Sequence, residues 1–575
     1  MGTIDFNKQY IKGEYVVVFV VFLVIALSRL FFPDADLTST ALEIEEKPGG
    51  FNARNKVLFG VWPIYSNWMQ PMVYVPLANM ISYISFSLFG VGLVQFRLPF
   101  ILFGILGLAI FYLIVYRKTN QFIAITFLLL YATDFNVFFW NRSALPENIF
   151  LFLMPLSVYF FSKAPKYSWA IFLCTFFGSL NLLVKVDSYP FVGALLIFFL
   201  IWSVHERNVL RTGISVFFGL LATLLVALML FYVTDSFNFI VPMYSVYFNM
   251  FSSSGSLITK MAASFPTLLN LFKQMNPYIC LVSLMAVPIL VKYHKRMDRV
   301  DYLLILVLIL TIISRLLIPP TLIYWKRVMF MYMPILYLCA RAMFFLYQEV
   351  TLTDVTKAIR SKRAMFIGIS IIPASCCLTT ILVLSYLFRE QIGAVLPVNH
   401  TTNNFFNVMF LVMAGLSISI FLSNSRSIKY VWLVLVAGLI SSSVIADVNI
   451  IRERLAPSNI KYGYEENRRY TTLIPENELV VADEQGFRAF AYLTKHQFFY
   501  NHDGGPNPIN YREVLERDDV RYFIFDINAY GRTYWGIPNK VRLILIKDKY
   551  PKLKLLDVMS SSGIPMAIYD KYGGD

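Results

Sequence analysis

Two aspartates one residue apart, Asp34 and Asp36, follow directly on the first apolar run of the chain in the segment Phe32-Pro33-Asp34-Ala35-Asp36. Acidic side chains are expensive inside a bilayer, and a pair at its edge needs a reason. Other acids and bases recur at the ends of later apolar runs. Arg142 and Glu147 flank Ser143-Ala144-Leu145-Pro146, and Lys185 and Asp187 lie in Lys185-Val186-Asp187-Ser188. Lys326 and Arg327 follow Tyr324-Trp325, with Arg315 a turn or so inside the preceding apolar run. A carboxylate in such a place can act as general base on a hydroxyl or amine, or hold a divalent cation against a phosphate. Arginine and lysine can stabilise the negative charge of a phosphate, including one that is leaving.

Each group also has a purely structural alternative. Carboxylates usually sit in solvated loops, which suffices for Asp34 and Asp36 taken alone. Arg142 and Glu147 fit an ordinary loop ion pair, and Lys185 and Lys326 fit cations that snorkel to an interface. Tyr324 and Trp325 fit an aromatic belt, and Asp134 a helix cap or pair. His496 and His502 lack metal-ligand spacing. Asn141-Arg142-Ser143 and Asn399-His400-Thr401 match the N-glycosylation pattern, a weak signal without a cell type.

What decides between these readings is where the elements put the residues. Of the 575 residues 57% are hydrophobic and only 15% charged, the balance of a polytopic membrane protein. The net charge of +15 then belongs to loops, and no basic face on a soluble domain suggests nucleic acid. The five cysteines lie in apolar stretches, so neither a disulfide framework nor a cysteine zinc site is expected. Apolar runs long enough to span occur at roughly 14–32, 97–116, 121–139, 148–162, 167–185, 189–204, 213–233, 277–293, 301–319, 325–346, 365–387, 405–423 and 430–449. With the N-terminus cytoplasmic, every inner loop of these roughly thirteen spans is basic, from Arg117-Lys118 to Arg426 and Lys429. That parity requires the apolar run 71–90 to be an interfacial or re-entrant helix within an external loop, 33–96. A second external excursion is expected at 234–276. All the acids and bases named above then share one side and one depth, whereas the midplane is almost free of ionisable residues. This suits a site at the outer surface for a phosphate-bearing lipid, rather than an ion path.

From about residue 450 the hydropathy drops and short β-rich runs appear at 479–482, 522–525 and 541–546, with a helical stretch near 486–494 and a turn at Asp503-Gly504-Gly505-Pro506. The chain thus divides into a membrane module, 1–449, and a small external α/β domain, 450–575.

These residues resemble the GT-C superfamily of membrane glycosyltransferases, and most closely the branch of the protein O-mannosyltransferases and the lipid A aminoarabinose transferase. Asp34-Ala35-Asp36 is similar to its Asp-X-Asp motif in the first external loop, followed by Ala41-Leu42-Glu43-Ile44. Trp68-Met69-Gln70-Pro71 looks like a weakened His-Pro-Pro stretch, and Phe89-Gly90 with Arg97-Leu98-Pro99 resembles the Phe-Gly and Arg-Leu-Pro pattern. Arg142–Glu147 is similar to the acidic second external loop, Leu183-Val184-Lys185 to a Thr-Lys-Gly stretch, and Arg327 with Pro334 to an Arg-Tyr…Pro pattern. Val186 replaces the glycine and Val328 the tyrosine.

The resemblance implies a polytopic α-helical fold with an external C-terminal domain, in a cytoplasmic-type inner or plasma membrane. It also implies transfer of a monosaccharide, hexosyl or pentosyl, from a polyprenyl-phosphate carrier to a lipid, protein or polysaccharide acceptor on the outer face. Asp34 would be the base, with Asp36 its alternate, and Glu147 the second acid. Lys185, Arg327, Lys326 and Arg315 would hold the donor phosphate, while Arg97, Arg142 and Asp187 would support the acceptor side. A divalent cation, if used, would fall to Asp34 and Asp36. Two rivals stand beside this reading. A flippase or transporter of lipid-linked sugars would show repeat symmetry and broken midplane helices, and a non-catalytic scaffold would work through its external domain.

Overall fold

The structure, a computed structural model, describes residues 6–30, 75–234, 277–317, 329–349 and 426–454, isolated positions at 261 and 264, and segments within 50–62 and 473–573. Asp34, Asp36, Lys326 and Arg327 lie outside the described residues, as do the predicted spans 365–387 and 405–423, nearly all of the excursion 234–276 and the strand at 541–546.

Thirteen helices are described: α1 (Phe6–Leu30), α2 (Pro76–Phe89), α3 (Leu93–Lys118), α4 (Gln121–Thr133), α5 (Phe135–Arg142), α6 (Pro146–Lys163), α7 (Ser168–Val184), α8 (Tyr189–His205), α9 (Val209–Val233), α10 (Pro277–Lys292), α11 (Arg299–Leu316), α12 (Tyr332–Glu349) and α13 (Arg426–Arg454). They are not the thirteen predicted spans. Helix α2 has 14 residues, about 21 Å, too short to cross a bilayer core of about 30 Å. Among the described residues, α3, Val186–His205 and α9 are long and apolar enough to span, and α4 with α5 makes a fourth if taken as one bent unit.

Helix α9 shows what solvent the bundle is built for. Most of its buried positions are small, Thr212, Gly219, Thr223 and Ala227 beside Leu230 and Phe231, while Phe217, Phe218, Leu224, Leu225 and Tyr232 are exposed. In water this arrangement would be inside out. In lipid, small residues let backbones approach and large apolar ones face the acyl chains. A Cβ on Gly219 would stand 2.9 Å from the Phe172 carbonyl of α7, and one on Gly107 of α3 would stand 2.3 Å from the Leu151 carbonyl of α6. Hydroxyls join the same helices: Ser179 and Thr223 meet at 2.6 Å, and Ser157 donates to the Cys174 carbonyl at 2.8 Å.

The sequence pattern predicts one continuous span over 121–139. Instead α4 and α5 are bent by 69° around Asp134. The Asp134 carboxylate accepts the Val137 amide at 3.0 Å, so it caps a new helix at the point where the old one ends.

At the opposite end of the bundle, Asp298 and Asp301 form a capping box at the start of α11. Asp301, fully buried, also accepts Tyr337 at 2.9 Å and the Arg341 fork at 2.9 and 3.0 Å from α12, while Lys118 of α3 pairs with Asp298 at 2.6 Å. Because its removal leaves Arg341 buried without its partner, Asp301→Asn is expected to destabilise the protein by about 3–5 kcal/mol. Denaturant unfolding in detergent measures this, and an unchanged midpoint would show that the clamp carries no stability.

The C-terminal residues form a five-stranded sheet of order β2-β1-β3-β5-β4: β1 (Leu479–Ala482), β2 (Gln497–Tyr500), β3 (Val520–Asp526), β4 (Lys554–Ser561) and β5 (Ile564–Asp570). Strand β1 runs parallel to β2 and β3, as expected where chain crosses over between strands, and β4–β5 is an antiparallel hairpin that the sequence reading did not single out. Arg521 on β3 grips Asp570 on β5 with two bonds of 3.0 and 2.9 Å. Burial works to raise the Asp570 carboxyl, but the Arg521 fork and the Tyr572 amide outweigh it and hold it below the usual carboxylate value. A depressed folded value means that the stabilisation is present above about pH 4, the unfolded value, and is lost as pH falls through the folded one. Hydrogen-exchange protection of β3 and β5 is expected to drop in acid, and Asp570→Asn is expected to remove that pH dependence.

Candidate active site at one end of the bundle

Antiparallel neighbouring helices bring the N-terminus of one beside the C-terminus of the next, and the sequence places acids at the former and bases at the latter. Glu147 is in the first turn of α6, after Pro146, and Lys185 caps the end of α7. Each suits the partial charge of its helix end. The two side chains form a salt bridge, with Lys185 3% and Glu147 2% exposed. Two residues on, Asp187 is the middle residue of the 3-10 turn Val186–Ser188 that leads into α8, and Arg315 is in the last turn of α11. Arg315 donates to the Asp187 carboxylate and carbonyl, each at 3.1 Å. The result is two buried, charge-balanced pairs side by side along one turn.

The loop pair considered from sequence, Arg142 with Glu147, is not formed. Glu147 goes to Lys185, and Arg142 reaches across to α1, where it donates to the Ser28 carbonyl at 2.7 Å. Arg29, which the sequence reading missed, returns the contact by donating to the Ala132 carbonyl near the end of α4. Both guanidiniums lie over Phe138, at 4.6 Å for Arg29 and 5.7 Å for Arg142. The point where the chain leaves α1 towards Asp34 is therefore held against the same loop that delivers Glu147. The only local signal was a lone arginine closing an apolar run.

Asn148 pins that loop by donating to the carbonyls of Trp140 and Ser143 at 2.8 and 2.7 Å. Asn141, of the first N-glycosylation sequon, is fully buried against Gly104 in the folded chain. Phe330, three residues after Arg327, packs edge-on against Phe150, three residues after Glu147, at 4.2 Å. Tyr332 bonds Asp134 at 3.4 Å. Arg97 lies buried in the second turn of α3. Between α1 and α2 Arg54 is also buried, which pushes its guanidinium down to about 9. Among the described residues no group of three or more His, Cys, Asp or Glu side chains could hold a metal ion.

With this geometry in hand, the chain can be set beside known proteins. Over 96% of its length it is similar to the crystal structure of ArnT from Cupriavidus metallidurans bound to undecaprenyl phosphate, covering 97% of that chain at a TM-score of 0.55 and 14% identity. The two chains share a fold. The apo structure of the same ArnT agrees over 99% of this chain and 98% of that one, at a TM-score of 0.53 and 14% identity. Residues 70–233 match the family described as dolichyl-phosphate-mannose-protein mannosyltransferase. No curated protein matches the sequence at a significant level. The family match runs from just before α2 to the end of α9, so it contains Arg97, Arg142, Glu147, Lys185 and Asp187, with Arg315 outside it.

Proposed function

We propose that this protein is a membrane glycosyltransferase that moves a monosaccharide from a polyprenyl-phosphate carrier to an acceptor on the outer face of the membrane. The observation that carries the reading is the gathering of Glu147, Lys185, Asp187, Arg315 and the root of the Asp34 loop at one end of a GT-C fold. The likeness to a structure bound to undecaprenyl phosphate supports a lipid phosphate as the carrier.

In this scheme an aspartate of the first external loop, Asp34 or its alternate Asp36, takes the proton of the acceptor hydroxyl or amine as that atom attacks the anomeric carbon. The bond from that carbon to the phosphate oxygen breaks, and polyprenyl phosphate leaves with an added negative charge. Cations stabilise the departing charge, a role shared by Lys185, Arg327, Lys326 and Arg315. Glu147 holds Lys185 in place, and Asp187 holds Arg315. Arg97 and Arg142 fix the acceptor side. A divalent cation, if the reaction uses one, would be held by Asp34 and Asp36, which lie outside the described residues. The N-terminus would be cytoplasmic and the C-terminal sheet external.

The test is purified protein in lipid with a panel of polyprenyl-phosphate monosaccharides and the source membranes as crude acceptor, followed by mass spectrometry of the donor. Consumption of one donor, with release of polyprenyl phosphate, is the expected result. No turnover of any donor beside an active control transferase would sink the reading and favour the transporter.

A further inference from the structure

Helices α3 and α6 both end on cations at the face of the bundle opposite Glu147: Arg117 and Lys118 on α3, Lys163 on α6. Cations are at home at helix C-termini. Several at this end are also neutralised by carboxylates: Lys118 by Asp298 at 2.6 Å, Arg296 by Glu349 at 2.6 Å and Arg299 by Glu206 at 2.5 Å. Arg117 and Lys163 differ. Neither has a carboxylate within ion-pair distance among the described residues, and both instead stand over the ring of Tyr159, at 4.7 and 4.5 Å from its centroid. A ring face attracts a cation, but two cations on one ring repel each other, and a shared anion relieves that repulsion. Arg117 is exposed and Lys163 half-buried, so both charges can be reached.

The surface leading to them is apolar. Leu106 and Leu113 of α3 are 48% and 41% exposed on the side that runs down to Tyr116 and Arg117. From Leu106 to Arg117 the helix rises about 16 Å, close to the depth of one leaflet's hydrocarbon, about 15 Å. Beside this cluster Tyr167 and Trp169 are exposed and stacked at 5.5 Å, as aromatic residues are at a membrane interface. A free phosphate would use the cations alone, whereas a lipid uses the cations and the stripe.

We propose that Arg117, Lys163 and Tyr159 form a binding site for the phosphate of an anionic phospholipid whose acyl chain lies along Leu106 and Leu113. The site is separate from the proposed transfer chemistry, and its test needs no donor sugar. Full-length protein is placed in nanodiscs of equal phosphatidylglycerol and phosphatidylethanolamine, then released for native mass spectrometry of retained lipid. Wild type is expected to retain phosphatidylglycerol in preference. Arg117→Gln with Lys163→Gln is expected to lower that preference about tenfold or more, since each cation near the surface is worth roughly fivefold. Arg207→Gln with Lys295→Gln, at the same end, should leave it unchanged, and millimolar inorganic phosphate should not displace the lipid. Tyr159→Leu keeps both charges but removes the ring that gathers them, and is expected to lower the preference severalfold. Equal retention by the Arg117/Lys163 variant, equal loss in the Arg207/Lys295 variant, or displacement by inorganic phosphate would overturn the proposal. If the double variant does not fold, unchanged retention by Tyr159→Leu would do so.

Discussion

Asp34→Asn is expected to slow sugar transfer by a factor of about 10²–10⁴, the range that a positioned general base contributes. The substitution keeps the shape of the side chain and removes its ability to take a proton. Asp36→Asn, one residue beyond the intervening Ala35, is expected to have the smaller effect, because the resemblance gives Asp34 the leading role. Single-turnover consumption of a polyprenyl-phosphate sugar separates this chemical step from donor binding. If Asp34→Asn lowers the rate of the bound complex and leaves donor affinity unchanged, the base assignment stands. If the two variants exchange ranks, Asp36 is the working carboxylate. Full rates in both would remove the acidic pair from the mechanism.

The second large effect is expected at Glu147 and Lys185, whose pair is almost wholly buried. Glu147→Gln leaves an ammonium in the interior without its carboxylate, and Lys185→Gln does the reverse. Each single change is expected to cost about 3–5 kcal/mol of stability, since an uncompensated buried charge is worse than no charge at all. The double substitution, which leaves two neutral amides, is expected to recover most of that loss. Transfer activity is expected to stay low in the double variant, because the amides restore packing but not the charge beside the leaving phosphate. Stability and activity measured on the four proteins of this cycle therefore come apart. If activity returned together with stability, the pair would be a tie between α6 and α7 and nothing more.

The same pair shows how far the sequence could be read. Glu147 and Lys185 stand out in the chain as an acid and a base at the ends of apolar runs, and hydropathy with the basic inner loops puts both on one side. The nearer cation, Arg142, was the natural partner on paper. Which cation Glu147 meets depends on which helices are neighbours and how each is turned about its axis, and neither is encoded in spacing along the chain. Arg29 escaped notice for the same reason, since its contact at Ala132 is 103 residues away. Asp134 was seen as a capping residue, but the 69° break it accompanies was not, because an apolar run looks continuous whether it is straight or bent.

Legible in the residues alone are the membrane class of the chain, the places of many of its helices, and β1 and the core of β3 as strands. These are local or additive properties: apolar length, helix-end chemistry and loop charge can be read residue by residue. The folded chain alone reveals that Glu147 is held by Lys185 and Arg315 by Asp187, that Arg29 and Arg142 tie α1 to the ends of α4 and α5, and that α9 turns its small residues inward. Those are choices among distant partners. They are made where two buried charges must find each other or where two backbones must touch, because burial leaves no water to satisfy a wrong choice.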